Sequence, residues 1–208
     1  MWQEFLRTGG PVMWLIVGAG VLALGVFLER ALHLHRARIK SEDFLKGIFN
    51  ILRRGNVAEA LTICDETPGP VAYVVRTAIL HRKDSKDAMR RQIEDASLAE
   101  TSRMERRLIV IATVAQIAPL LGLLGTIIGL AEYLYVMRMQ LPLVQSADVT
   151  LGLQRALLTT GVGLLVAIPC YAAFNLLALK IDRIVLDMQR AGSETLSFLE
   201  ASTESARY

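Results

Sequence analysis

Thr126, Thr159 and Thr160 sit inside long uncharged stretches of this 208-residue chain, and Glu132, Asp148 and Arg155 stand beside those stretches. A threonine hydroxyl does not titrate near neutral pH. It can orient water or hydrogen-bond a carboxylate, but it cannot hold a proton in transit. A proton path through an apolar span needs an acid at depth. The acid nearest the threonine-bearing stretches, Glu132, falls at the rim of its stretch. These threonines could therefore form one wall of a proton pathway, with the titrating group supplied by a partner helix. No nucleophile–base pair, Gly-rich phosphate loop or metal-ligand spacing of Cys and His is present, so neither an enzyme, a cofactor nor a metal site is expected. His33, His35 and His81 all fall outside the apolar stretches.

The threonines lie on two helices of matching design. One reads Ile117-Ala118-Pro119-Leu120-Leu121-Gly122-Leu123-Leu124-Gly125-Thr126-Ile127-Ile128-Gly129, and the other runs from Ala156 through Thr159-Thr160-Gly161-Val162-Gly163 to Ala167-Ile168-Pro169. With a rise of ~1.5 Å per residue, Thr126 lies about 9 Å inside the rim at Glu132, and Thr160 about 7–8 Å inside the rim at Arg155. The two are at similar depth. Gly122, Gly125 and Gly129 recur three and four apart, as do Ala156, Thr160, Gly163 and Ala167, and small residues at that spacing let helices approach closely. Packing alone is the simpler reading of this pattern, with a polar pathway as the alternative. Pro119 and Pro169 are expected to kink the pair near mid-depth.

Those helices need a membrane. Thr8–Leu28, Leu108–Ala131 and Ala156–Leu179 are uncharged runs of 21, 24 and 24 residues, each long enough for a hydrocarbon core of ~30 Å. Of the 23 Lys and Arg residues, 16 lie in Glu29–Arg107 and four in Lys180–Tyr208. Basic residues collect on cytoplasmic flanks, which puts the N-terminus outside and the C-terminus inside. The expected fold is an all-α membrane protein with three transmembrane helices and long cytoplasmic helical extensions. Residues 1–40 carry the first span and its cytoplasmic end, and 41–107 a cytoplasmic helical domain. Residues 108–179 form a hairpin of the second and third spans, and 180–208 a cytoplasmic C-terminal helix. The basic flank follows the first span instead of preceding it, which reads as a retained anchor. The basic residues are interleaved with acids and lack an aromatic platform, so no nucleic-acid partner is expected.

Local signals divide the polar segment. Ser41-Glu42-Asp43 starts a helix and Arg54-Gly55-Asn56 is a turn, with Asn56 capping the next helix and Glu59 completing an approximate capping box. Thr67-Pro68-Gly69-Pro70 breaks the chain, and Pro70 opens a helix to about His81. Asp84 or Ser85 caps a long helix predicted to continue without a break into the second span. After the third span, Ile181, Ile184, Val185 and Met188 recur at i, i+3, i+4 and i+7, an amphipathic continuation. Cys64 and Cys170 fall far apart in the sequence, one in the polar segment and one in a span, so no disulfide is expected.

The paired motifs, together with Gly9-Gly10-Pro11-Val12-Met13, Glu29-Arg30 and Thr67-Pro68-Gly69-Pro70-Val71, resemble the MotA/TolQ/ExbB proton-channel family, most closely its ExbB branch. The resemblance implies a homopentamer in the bacterial inner membrane, surrounding helices of ExbD- or TolR-like single-span subunits. Those helices carry the membrane aspartate. It implies pore-facing threonines at Thr126 and Thr160, with Thr159 beside them, and work done on a TonB- or TolA-like protein. Many relatives carry a glutamate where this chain has Arg155. A positive charge at an outer mouth formed with Glu132 and Asp148 would repel cations unless paired with one of those acids. The alternatives are a TolQ-like role in envelope maintenance and division, or a non-conducting membrane scaffold.

Overall fold

The computed structural model describes residues 10–36, 41–139 and 146–205. Within them the chain forms seven helices: α1 Gly10–Arg36, α2 Ser41–Arg53, α3 Val57–Glu66, α4 Pro70–Leu80, α5 Lys86–Glu105, α6 Leu108–Met139 and α7 Ser146–Ser205. No strand occurs among the described residues. Three stretches are long and apolar enough to cross a membrane: Gly10–Leu32, Leu108–Met139 and a window within Gly152–Ser202. The chain is thus an all-helical, multi-pass membrane protein. Both α6 and α7 run on through their prolines, Pro119 and Pro169.

The described chain forms two compact units. One joins α1 up to Glu29 with Arg107–Leu176, and the other joins Arg30–Arg106 with the chain from Leu177 onward. In the apolar unit, α1 buries Met13, Ile16 and Ala23, and α6 buries Leu108, Ile111, Ala115 and Ala118. A Cβ on Gly20 would stand 3.0 Å from a methyl of Val166, so α1 meets α7 closely there. Most large apolar side chains of this unit still point outward, among them Leu157, Leu165 and Ile168. In water such a surface would drive aggregation. In lipid, or against further helices, it is the ordinary surface of a spanning helix.

The polar unit is built on caps that match the local sequence. Asn56 Oδ1 accepts from the Glu59 backbone N–H at 3.5 Å, while its Nδ2 donates to Glu59 Oε2 at 2.7 Å. Gly55 takes φ +78°, the left-handed conformation such a turn requires. Pro70 begins α4 directly after Gly69, and Ser85, not Asp84, caps α5 by accepting from Ala88 N–H. The core beneath contains Ile48, Val74, Val75, Ile79 and Met89. The predicted stripe of α7 is buried at Ile181, Ile184 and Met188 and extends through Ala191, Thr195 and Leu199. Gly192 is needed for contact, since a Cβ there would stand 2.6 Å from Ile93 Cγ2. Phe49 stacks on Phe198 with centroids 4.6 Å apart.

One expectation fails. The helix capped at Ser85 does not run unbroken into the second span, because the helical ladder is interrupted at Arg106 and Arg107. The last bond of α5 is Arg106 N–H to Ser102 O at 3.1 Å. The next two carbonyls, Arg103 O and Met104 O, accept instead from Arg30 Nη2 at 3.1 and 3.4 Å. A side chain remote in sequence occupies acceptors that an unbroken helix would use for its own backbone.

Candidate functional site in the hairpin of α6 and α7

The seam between α6 and α7 is lined by backbone. A Cβ on Gly122 would lie 3.1 Å from Thr159 O, one on Gly129 2.9 Å from Ala156 N, and one on Gly163 2.7 Å from Ala118 O. None of these distances leaves room for a side chain. These glycines let the two helices approach closely, and Gly122, Gly125, Gly129, Gly163 and Ala167 are all buried. Gly152 belongs to the same seam, with a would-be Cβ 2.9 Å from Tyr133 Cβ. It escaped the sequence reading because the third span was started at Ala156. Continuing the small-residue spacing from Ala156 back to Gly152 would have found it.

The three threonines separate into different environments. Thr159 is 2 % exposed and bonds Arg155 O and Ala156 O, each at 3.0 Å. Its side chain fills the notch left by Gly125, where a Cβ would come within 2.5 Å of Thr159 Oγ1. Thr159 was expected beside the pathway. In this hairpin it is a packing knob, since its side chain is buried in the seam against Gly125. Thr160 is half-buried, and its hydroxyl crosses the seam to donate to Gly122 O at 3.2 Å, with Ala156 O at 3.4 Å. Thr126 is also half-buried and donates to Leu123 O on its own helix. Each hydroxyl oxygen keeps lone pairs, so Thr126 and Thr160 can still accept from a water or from a protonated carboxyl.

At one end of the hairpin, Arg155 Nη1 donates to Glu132 Oε2 at 2.6 Å. The positive charge is paired, and Glu132 is a partner that the sequence had offered for it. The side chain of Asp148, the other proposed partner, lies outside the described residues. Among the described residues no group of three or more His, Cys, Asp or Glu side chains could hold a metal ion.

Comparison with known proteins then fixes the family. Residues 66–190 match the family model described as the MotA/TolQ/ExbB proton channel family. The chain belongs to this family. The match takes in the last part of the polar helices, the whole α6–α7 hairpin and much of the α7 extension. The chain is 29 % identical over 184 residues to an ExbB homolog of Methanothermobacter thermautotrophicus, covering 86 % of this chain and 63 % of that protein. It is 37 % identical over 94 residues to the biopolymer transport protein ExbB of Aquifex aeolicus, covering 45 % and 63 % of the two chains. It is 34 % identical over 105 residues to the Tol-Pal system protein TolQ of Haemophilus influenzae, covering 48 % and 40 %. The matches thus span less than two thirds of the length of these three relatives. In this MotA/TolQ/ExbB chain the threonines sit in the close-packed seam of the α6–α7 hairpin.

Proposed function

We propose that this chain is the wall of a proton path and the stator subunit of an inner-membrane motor, which couples the proton-motive force to work on a TonB-like protein. The observation that carries the reading is the seam itself. Glycines bring two helices into backbone contact, seat Thr159 between them, and leave Thr126 and Thr160 half-buried with acceptor capacity. That arrangement suits a wall against which another helix slides. The titrating acid would come from a membrane aspartate of an ExbD- or TolR-like single-span subunit. Several copies of this chain, five by resemblance, would enclose it. The N-terminus would lie outside and the polar unit in the cytoplasm, as the basic residues argue. Each proton crossing ~100 mV releases about 2.3 kcal/mol, enough for repeated mechanical steps.

Similarity to TolQ supports a second reading, in which the same motor serves a TolA-like partner in envelope maintenance and division. One experiment tests the shared mechanism. Thr126→Ala with Thr160→Val is expected to leave the complex assembled, as judged by co-purification with its aspartate-bearing partner, and to abolish work driven by the proton gradient. Full activity in the assembled double variant would remove the conducting role and leave a scaffold.

A further inference from the structure

We propose that Arg30 is a positioning residue that ends α5 and ties α1 to that end. Arg30 is only 6 % exposed. Burying a guanidinium is costly unless its hydrogens are used, and here Nη2 donates to two backbone carbonyls, Arg103 O and Met104 O. In an α-helix the N–H of residue i bonds the carbonyl of residue i−4. Those two oxygens are the acceptors that Arg107 and Leu108 N–H would take if α5 continued. The interruption falls at Arg106 and Arg107, where the first of those bonds is due.

The local sequence supplies no other cause. Glu105-Arg106-Arg107-Leu108 contains no Gly, Pro or Asn, and Glu, Arg and Leu are all strong helix formers. Arg106 itself keeps helical angles, φ −51° and ψ −36°. Propensity would carry the helix on, so a tertiary contact stops it. A cation is the right group for the task, because the last carbonyls of a helix carry its partial negative charge. The residue before it on α1 acts on the same stretch of chain, with Glu29 paired to the side chain of Arg107. Consecutive residues of α1 thus hold the last carbonyls of α5 and the side chain that follows them. A displacement of α1 at Arg30 acts directly on the end of α5 through two hydrogen bonds. Its use in a motor rests on the function proposed above, whereas the contact itself does not.

The test is residue-resolved amide hydrogen exchange on the full chain in lipid nanodiscs. In the unaltered protein, the Arg107 amide should exchange at least about fivefold faster than that of Arg106, which keeps its bond to Ser102 O. The factor reflects one net hydrogen bond. Arg30→Met frees both carbonyls and should slow Arg107 exchange by about fivefold or more as α5 and α6 fuse. Arg30→Lys, which keeps a buried donor, should retain the fast rate. A general loss of structure would speed exchange, so slowing after removal of a buried side chain distinguishes positioning from simple stabilisation. If Arg107 in the unaltered protein is as protected as Arg106, the proposal fails without recourse to any variant. It also fails if folded Arg30→Met leaves the Arg107 rate unchanged, or if Arg30→Lys behaves as Arg30→Met does. None of these readings depends on proton flow, so the contact can stand or fall apart from the motor.

Discussion

Thr159 and Thr160 are adjacent and chemically identical, yet one is a knob and the other a cross-helix donor. On a helix, neighbours differ by about 100° of rotation, so only one of the two can point into the notch at Gly125. Gly125→Ala would press a methyl within 2.5 Å of Thr159 Oγ1 and 2.6 Å of its Cβ. Overpacking of that kind costs about 1–3 kcal/mol. Gly161, by contrast, has nothing within 4 Å of a would-be Cβ. Gly161→Ala should leave the hairpin as stable or raise its stability by up to about 1 kcal/mol, because alanine is the better helix former. Denaturant titration of the two variants in mixed micelles checks the contrast. In the polar unit, burial raises the Cys64 thiol from 9.0 to about 11, with Asp65 adding to the rise and Arg76 opposing it. A raised pKa favours the neutral thiol in the folded state. This contribution to stability is full below pH 9 and is lost as pH climbs through about 11. Alkylation of folded protein at pH 8 should therefore be slower at Cys64 than at a free thiol by about a hundredfold, since the thiolate is the nucleophile. A rate within a few-fold of the free thiol would contradict it.

At the scale of elements, starts and stops written in adjacent residues were legible. Asn56, Pro70 and Ser85 each satisfy or dispense with a local N–H, and the structure uses all three, Ser85 being one of the two caps the sequence offered. The stop after Glu105 was not legible, because its cause, Arg30, lies 73 residues away from Arg103. The pairing of Arg155 with Glu132 falls between these cases. Both charges were visible at the rims, but the pairing itself needed the register of the seam. Their side chains are 41 % and 50 % exposed, so the pair is expected to be weak. A double-mutant cycle with Glu132→Gln and Arg155→Gln should give a coupling below about 1 kcal/mol. A coupling of several kcal/mol would mean that the pair is sealed from water in the assembled complex.

For the whole molecule, charge segregation is the feature that most directly concerns orientation. The basic residues of 29–107 and 180–208 predict that both lie on the cytoplasmic side. Lys46 is exposed, and a cysteine placed there reports the side directly. In a Cys64→Ser, Cys170→Ala background, Lys46→Cys should react with a membrane-impermeant maleimide only after the cell interior is opened. Labelling of intact cells at the rate of an external control would reverse the topology. The outward-facing leucines of the apolar unit belong to this scale as well, since a single copy leaves them to lipid or to other helices.

By itself the sequence determined the helical class, the three spans, most helix boundaries and the family motifs. Each of these depends on hydropathy, capping or spacing within a few turns of one segment. The tertiary structure decided which threonine packs and which crosses the seam, that Glu132 pairs with Arg155, that Gly152 extends the close approach, and where α5 ends. Those outcomes depend on register between segments remote in sequence. There a shift of one residue turns a side chain by about 100°, and a guanidinium such as that of Arg30 can claim carbonyls that local propensity would have given to the backbone.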